Sequence, residues 1–220
     1  MHAAPLVRGS LVARLVSLVV GLLLFALGIV LLLESRLGLT PWDVLNQGVS
    51  ERTGLSFGTA NIAVAIPVLV LAWALGARIG PGTVANAVLI GLMVDALTAT
   101  RVVDALSTTA LSVRVALMVG GILVIGIGSG FYLGAGLGAG PRDSLMLVTA
   151  QRTGVRIGIA RATIEVAVTV AGFALGGTVG IGTLAFAFGI GPAVELSFWM
   201  LGRSPIADMA PQSPRPAPAA

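Results

Sequence analysis

Apolar residues along this chain do not alternate with polar ones; they run on. Uninterrupted hydrophobic stretches cover roughly residues 11–33, 58–76, 82–98, 112–133, 158–176 and 182–201. Each holds about 17 to 23 residues, the length at which an α-helix crosses about 30 Å of hydrocarbon. The pattern predicts six spans. The first run follows Arg8 and Arg14 and ends in Leu33-Glu34-Ser35-Arg36 with no small-x-small cleavage site, and it exceeds the apolar core of a secretory signal, so it reads as a retained span. Beyond Arg203 the chain turns to Pro, Ala and Ser, a composition that neither spans nor packs, and residues 202–220 are expected to be disordered.

The runs repeat. Sliding the chain on itself by 100 positions aligns residues 11–97 with 111–197 without a gap and with about 30 identical pairs. The identities fall at punctuation points: Gly38/Gly138, Pro41/Pro141, Asp43/Asp143, Arg52-Thr53-Gly54 with Arg152-Thr153-Gly154, Gly58/Gly158, Gly76/Gly176, Gly82-Thr83 with Gly182-Thr183, and Gly91/Gly191. Asp95 and Glu195 keep an acid at one place. The domain organisation is therefore an N-terminal segment 1–10, repeat 11–100, connecting loop 101–110, repeat 111–201 and the tail.

Each repeat has a long span, a short polar-bearing segment and two spans joined by a Gly-rich turn. Three crossings per repeat is an odd number, which turns the second copy upside down. The predicted fold is all-α in the membrane, with six transmembrane helices as two inverted three-helix repeats, each carrying a short re-entrant or interfacial half-helix. A rival count makes the short segment a full crossing, giving eight spans and parallel repeats. Length opposes it: residues 41–53 rise only about 20 Å as a helix and carry Asp43, Asn46, Gln47, Ser50, Glu51 and Arg52. With six spans and an inside N-terminus, nine arginines fall inside and Arg36, Arg52, Arg101 and Arg114 outside, so both termini are expected in the cytoplasm. Trp42, Ser56 and Asn61 become Arg142, Arg156 and Arg161 in the second copy, a divergence suited to copies of opposite orientation.

Composition narrows the chemistry. The chain is 56% hydrophobic and 10% charged, with a mean hydropathy of +1.02, so the bilayer rather than a soluble core takes up its apolar surface. Its net charge of +4 comes from arginines dispersed at span ends, which anchor helices rather than bind nucleic acid. All thirteen basic residues are Arg, a bias that fits the coding of a GC-rich bacterium, and the helical apolar spans then make the inner membrane the expected location. There is no Cys, and His2 is the one histidine, so disulfides, thiolate or imidazole metal sites and imidazole catalysis are excluded. No catalytic residue, metal or cofactor is expected, and an enzyme is disfavoured because the spans hold no His, Cys or Lys to act as base or nucleophile.

The short segments hold the candidate chemistry. In Gly38-Leu39-Thr40-Pro41-Trp42-Asp43, Thr40 suits an N-cap, Pro41 the first helical position and Asp43 the N3 place of a capping box. The copy Gly138-Ala139-Gly140-Pro141-Arg142-Asp143 keeps Pro and Asp but has Gly140 as a weaker cap. Capping alone explains the aspartates; alternatively, two inverted half-helices bring carboxylates and positive dipole ends to the midplane and form a site for a solute or ion. These segments, the Arg-Thr-Gly after each and the Gly-x-Gly-Thr turns resemble the YczE/YyaS/YitT group of bacterial integral membrane proteins, over residues 11–201. The resemblance implies a multi-pass membrane protein and no particular substrate.

Candidate binding residues are Thr40, Pro41, Asp43, Asn46, Gln47, Gly140, Pro141 and Asp143. Asn46 and Gln47 are Met146 and Leu147 in the second copy, so a polar site would be lopsided. Secondary candidates are Asp95 and Glu195, which either reach headgroups or ligate a cation, and Arg161 and Glu165, whose i, i+4 spacing suits an ion pair. Asn61 and Asn86 are expected to bridge helices, and Gly126, Gly130, Gly134 and Gly138 to form a smooth packing face. Two functions remain: a permease-like carrier of a small solute or ion, or a non-transporting accessory protein for another membrane or biosynthetic system. The lipid bilayer is the one partner implied, and the oligomeric state is open.

Overall fold

The computed structural model describes residues 10–101 and 110–202, and every element among them is helical. The order is α1 (Leu11–Ser35), α2 (Pro41–Thr53), α3 (Phe57–Ala74), α4 (Pro81–Ala99), α5 (Leu111–Gly134), α6 (Pro141–Thr153), α7 (Ile157–Ala174) and α8 (Ile181–Gly202). Six of them are long and apolar enough to cross a membrane, and they coincide with the six predicted runs to within a few residues. The short helices α2 and α6 are not among the six. Large apolar side chains such as Val70, Trp73, Val166, Phe173 and Phe188 face outward, as a bilayer solvent requires. The expected tail disorder, the connecting loop and the positions of Arg8, Arg203 and Arg215 lie outside the described residues.

The equivalent helices α1 and α5 form the centre and run antiparallel. Arg14, near the start of α1, donates to the Ala135 and Gly136 carbonyls at 2.7 and 2.9 Å, just past the end of α5. Arg114, its counterpart, donates to the Ser35 and Arg36 carbonyls, both at 2.8 Å, at the end of α1. Each guanidinium thus satisfies the orphan carbonyls at its partner's C-terminus, where a cation also suits the helix dipole. Between these clasps the backbones touch through glycine: a Cβ on Gly28 would lie 2.8 Å from the Gly121 carbonyl oxygen, and one on Gly21 2.8 Å from that of Gly128. Small residues let helices approach this closely in lipid. Packed around this axis, Leu22, Ile29, Leu32 and Ile125 are almost wholly buried.

The repeats also interlock at their turns. Gly82 N–H donates to the Leu37 counterpart, the Leu137 carbonyl, at 2.9 Å, and Gly182 N–H donates to the Leu37 carbonyl at 2.8 Å. Gly38 and Gly138 accept these neighbours because both sit at positive φ, +120° and +123°, where a side chain would be strained, and both lie against the opposite Gly-x-Gly-Thr turn. The glycine face read from α5 is real in part: Gly126 packs on Ala193 and Gly130 on Ser197, drawing α8 alongside, whereas Gly138 belongs to the turn.

Candidate functional site

The half-helices α2 and α6 lie within the bundle, α2 packed on α3 and α7, α6 on α3 and α7 as well. Their N-terminal ends converge. Arg142, second residue of α6, places a guanidinium nitrogen 3.7 Å from the Asp43 carboxylate of α2 and its carbon 5.4 Å from the centre of the Trp42 ring. Trp42 and Arg142 occupy equivalent positions of the two motifs, so a pair that differs between the repeats forms a contact between them.

Asp43 is fully buried. Its carboxylate accepts from the Thr40 hydroxyl at 2.7 Å and the Asn46 amide at 3.0 Å, while its N–H donates to Thr40 Oγ1 at 3.2 Å. That is half of the expected capping box: the cap is made, but the carboxylate takes the Thr40 hydroxyl rather than its backbone N–H. Burying a carboxylate is costly unless it is hydrogen-bonded and paired in this way. Asp143 is built differently. With Gly140 ahead of it, α6 has no side-chain cap, and the carboxylate turns to α5, where it accepts a short hydrogen bond from Tyr132.

A cavity of about 130 Å³ opens where these ends meet. Its polar wall comprises Thr40, Asn61, Asn86, Tyr132, Arg142, Asp143, Arg161 and Glu165, with Gly140 and Pro141 at the α6 terminus and Phe25, Ile125 and Phe186 on the apolar side. Arg161 and Glu165 pair at 2.8 Å, as their spacing foretold, and they do so in the cavity wall. Two wall residues carry buried donors without a partner, Trp42 Nε1 and Asn61 Nδ2. Unpartnered buried donors are costly, about 1–3 kcal/mol each, and are concentrated at sites that await a ligand or water.

Of the sequence candidates, Thr40, Gly140, Pro141, Asp143, Arg161 and Glu165 line this cavity. The other six lie elsewhere. Asp43 stands behind the wall, holding Thr40 and Arg142, and Asn46 stands behind it in turn, donating its amide to the Asp43 carboxylate. Gln47 is directed elsewhere: its Oε1 accepts from the Thr178 N–H at 2.7 Å, beside a separate pocket next to Arg36 and Gly38. Asp95 lies against α3 and caps it, accepting from Gly58 N–H at 2.7 Å and Ser56 Oγ at 2.5 Å. Glu195 is exposed on α8, and Pro41 is buried outside the cavity wall. Asn61 bridges no helices; its amide nitrogen is one of the orphans. Tyr132, Trp42 and Arg142 were not among the predicted site residues. Tyr132 offered a signal, being the single tyrosine of the chain and placed inside a span. Among the described residues no cluster of three or more His, Cys, Asp or Glu is placed to hold a metal ion.

Comparison with known proteins agrees with this architecture. An uncharacterized protein of Haemophilus influenzae is 37% identical over 191 residues, covering 84% of this chain and 86% of its own. The uncharacterized membrane protein YczE of Bacillus subtilis is 34% identical over 193 residues, covering 86% and 87%, and the uncharacterized protein YyaS of the same organism is 27% identical over 172 residues, covering 75% and 82%. No solved structure matches the chain. Residues 12–198 match a family described as a family of unknown function, DUF6198. The chain is thus a multi-pass membrane protein that belongs to this family, together with its YczE- and YyaS-like relatives.

Proposed function

We propose that the protein is a small permease of the bacterial plasma membrane, carrying a small polar solute or ion through the cavity between α2 and α6. The observation that carries this reading is the meeting of two half-helix N-termini from repeats whose central helices run antiparallel, around a polar space with unpartnered donors. Broken helices at the interface of inverted repeats present N–H groups and positive dipole ends to a bound group, while the rest of each repeat supplies a rigid body that can tilt around it. An uncapped α6 terminus next to Arg142 and Arg161 offers donors, and Asp143 and Glu165 offer acceptors, so a solute with both kinds of group finds partners. In this reading the repeats lie inverted in the bilayer, both termini face the cytoplasm, and no catalytic step or nucleic acid is involved.

The cavity contains its own reporter. Trp42 is buried at the wall, whereas Trp73 and Trp199 are 67% and 56% exposed. With Trp73→Phe and Trp199→Phe in place, the purified protein is titrated with free amino acids, mono- and dicarboxylates and alkali cations while Trp42 fluorescence is followed. A saturable change is expected for one class, lost in Asp143→Asn and Arg161→Ala, and the same compound is expected to show counterflow in proteoliposomes. Saturable binding without flux, together with a partner that co-purifies in fixed ratio, would replace the permease by an accessory protein.

A further inference from the structure

The repeats keep the same two glycines and an acid where the third helix meets the fourth, yet they do not make the same contacts. In the first repeat the α3–α4 seam is shut. Gly58 and Gly91 are buried face to face, a Cβ on Gly58 would collide with the Gly91 carbonyl, and Asp95 reaches over from α4 to hold the first turn of α3 through Gly58 N–H and Ser56 Oγ. Phe57 tucks partly into the core beside it.

In the second repeat the equivalent seam is open. A Cβ at Gly158 or Gly191 would meet nothing within 4 Å, and both glycines are exposed. Glu195, counterpart of Asp95, is exposed and makes no hydrogen bond or ion pair among the described residues. Ile157, counterpart of Phe57, is 53% exposed. Instead of packing on α7, α8 lies along α5 through Gly126–Ala193 and Gly130–Ser197. Where α8 leaves the start of α7 uncovered, a cleft of about 280 Å³ lies between α5, α6 and α7, lined among others by Leu133, Asp143, Met146, Ile157, Gly158 and Arg161, and all of these but Ile157 and Gly158 also line the central cavity. The first-repeat counterparts Asp43, Asn46, Gly58 and Asn61 are all buried. One side of the molecule therefore leads to the cavity and the other is sealed.

The open seam has retained the parts of a closed one. A glycine inside a helix costs about 1 kcal/mol against alanine, and an acid on an outer face of a membrane helix is costlier still. Neither is accounted for by the contacts of this conformation. We infer that α3–α4 and α7–α8 are alternating gates of the central cavity: in a second conformation α8 swings over to close on α7 while still resting on α5, as α4 rests on both α1 and α3 here, Gly158 meets Gly191, and Glu195 takes the Gly158 N–H and pairs with Arg156, while the α3–α4 seam parts. Arg156 stands where Ser56 stands, so the closed second seam gains an ion pair where the first has a hydroxyl contact. Because the two states exchange the roles of two copies of one unit, they lie close in energy, and a solute in the cavity is in contact with one gate at a time. The inference rests on the permease reading and names its gates.

The chain has no cysteine, so paired cysteines report the seams without background. In membrane vesicles containing the full-length protein, Ser56→Cys with Asp95→Cys and, separately, Arg156→Cys with Glu195→Cys are oxidised with copper phenanthroline. Both pairs are expected to cross-link, the first because those side chains already touch, the second only by way of the other conformation. With all four cysteines present, chains carrying either bond but not both are expected. If removal of the Asp95 cap prevents folding, the Arg156–Glu195 pair carries the test alone. Adding Gly158→Leu, which enters open space here, is expected to leave the protein folded and abolish that second cross-link. A folded Arg156→Cys/Glu195→Cys protein that never cross-links, or a four-cysteine chain that holds both bonds at once, would overturn the alternation. Cross-linking without solute flux would instead remove the permease reading, and flux without the second cross-link would remove only the gates.

Discussion

Asp43 and Asp143 occupy one place in two copies of a motif, yet the structure gives them different work, and replacing each by asparagine separates the two. Asp43→Asn keeps the shape but removes the charge facing Arg142 and turns one acceptor into a donor among Thr40 and Asn46. Breaking a buried ion pair by neutralising one partner costs about 3–5 kcal/mol. Arg142 keeps a side chain 19% exposed and so regains some solvation, which brings the expected loss to about 2–3 kcal/mol. For a protein near 200 residues that is a fall in Tm of about 5–10 °C. Asp143 is half-buried and accepts from the Tyr132 hydroxyl, so Asp143→Asn is expected to cost about 1 kcal/mol, or about 2–4 °C. Thermal unfolding of both variants in one detergent, followed by tryptophan fluorescence and by the monodisperse fraction on size exclusion, measures the difference. Equal shifts, or an unshifted Asp43→Asn, would refute the assignment of Asp43 to the scaffold and Asp143 to the cavity.

Other consequences follow from the same contacts. Gly128→Val puts a branched side chain against the Gly21 carbonyl and the Phe25 N–H, each 2.7 Å from the position of its Cβ, and is expected to lower stability by at least about 1–3 kcal/mol in the same melt, whereas Gly120→Val, with nothing within 4 Å, is expected to leave it unchanged. Arg14→Ala and Arg114→Ala each free two carbonyls at opposite ends of the α1–α5 pair and are expected to cost about 1 kcal/mol apiece and to add in the double variant; a coupled loss would deny that the clasps are independent. Tyr132→Phe removes the hydroxyl that holds Asp143 while keeping the ring against Phe25, so the Trp42 binding signal is expected to weaken with a Tm change below that of Asp43→Asn.

Helix positions were legible in the chain because membrane spans announce themselves by unbroken hydrophobicity, which needs no knowledge of neighbours. The half-helices were legible too: Pro41 and Pro141 start them, and Gly54 and Gly154 end them at φ near +70°, all local signals. Cross-repeat pairings were not. That Arg142 faces Asp43, that Leu37 receives Gly182, and that Tyr132 turns Asp143 toward α5 are contacts between segments brought together only by the antiparallel packing of α1 and α5. The partners of Gln47 and Asp95 were hidden for a related reason: a polar residue in an apolar chain does not reveal which distant backbone N–H it satisfies, here those of Thr178 and Gly58. The unequal seams lay furthest from view, since Gly58/Gly158 and Gly91/Gly191 are identical pairs in different surroundings.

The permease reading and its gates require the two repeats to lie inverted in the bilayer, and accessibility from the two sides of the membrane tests that requirement most directly. Leu55 and Val155 are equivalent, exposed residues in the loops that follow α2 and α6, so Leu55→Cys and Val155→Cys alter little. A membrane-impermeant maleimide applied to right-side-out and inside-out vesicles is predicted to label the first from the periplasmic face and the second from the cytoplasmic face. Labelling of both from one face would contradict it and return the chain to parallel repeats.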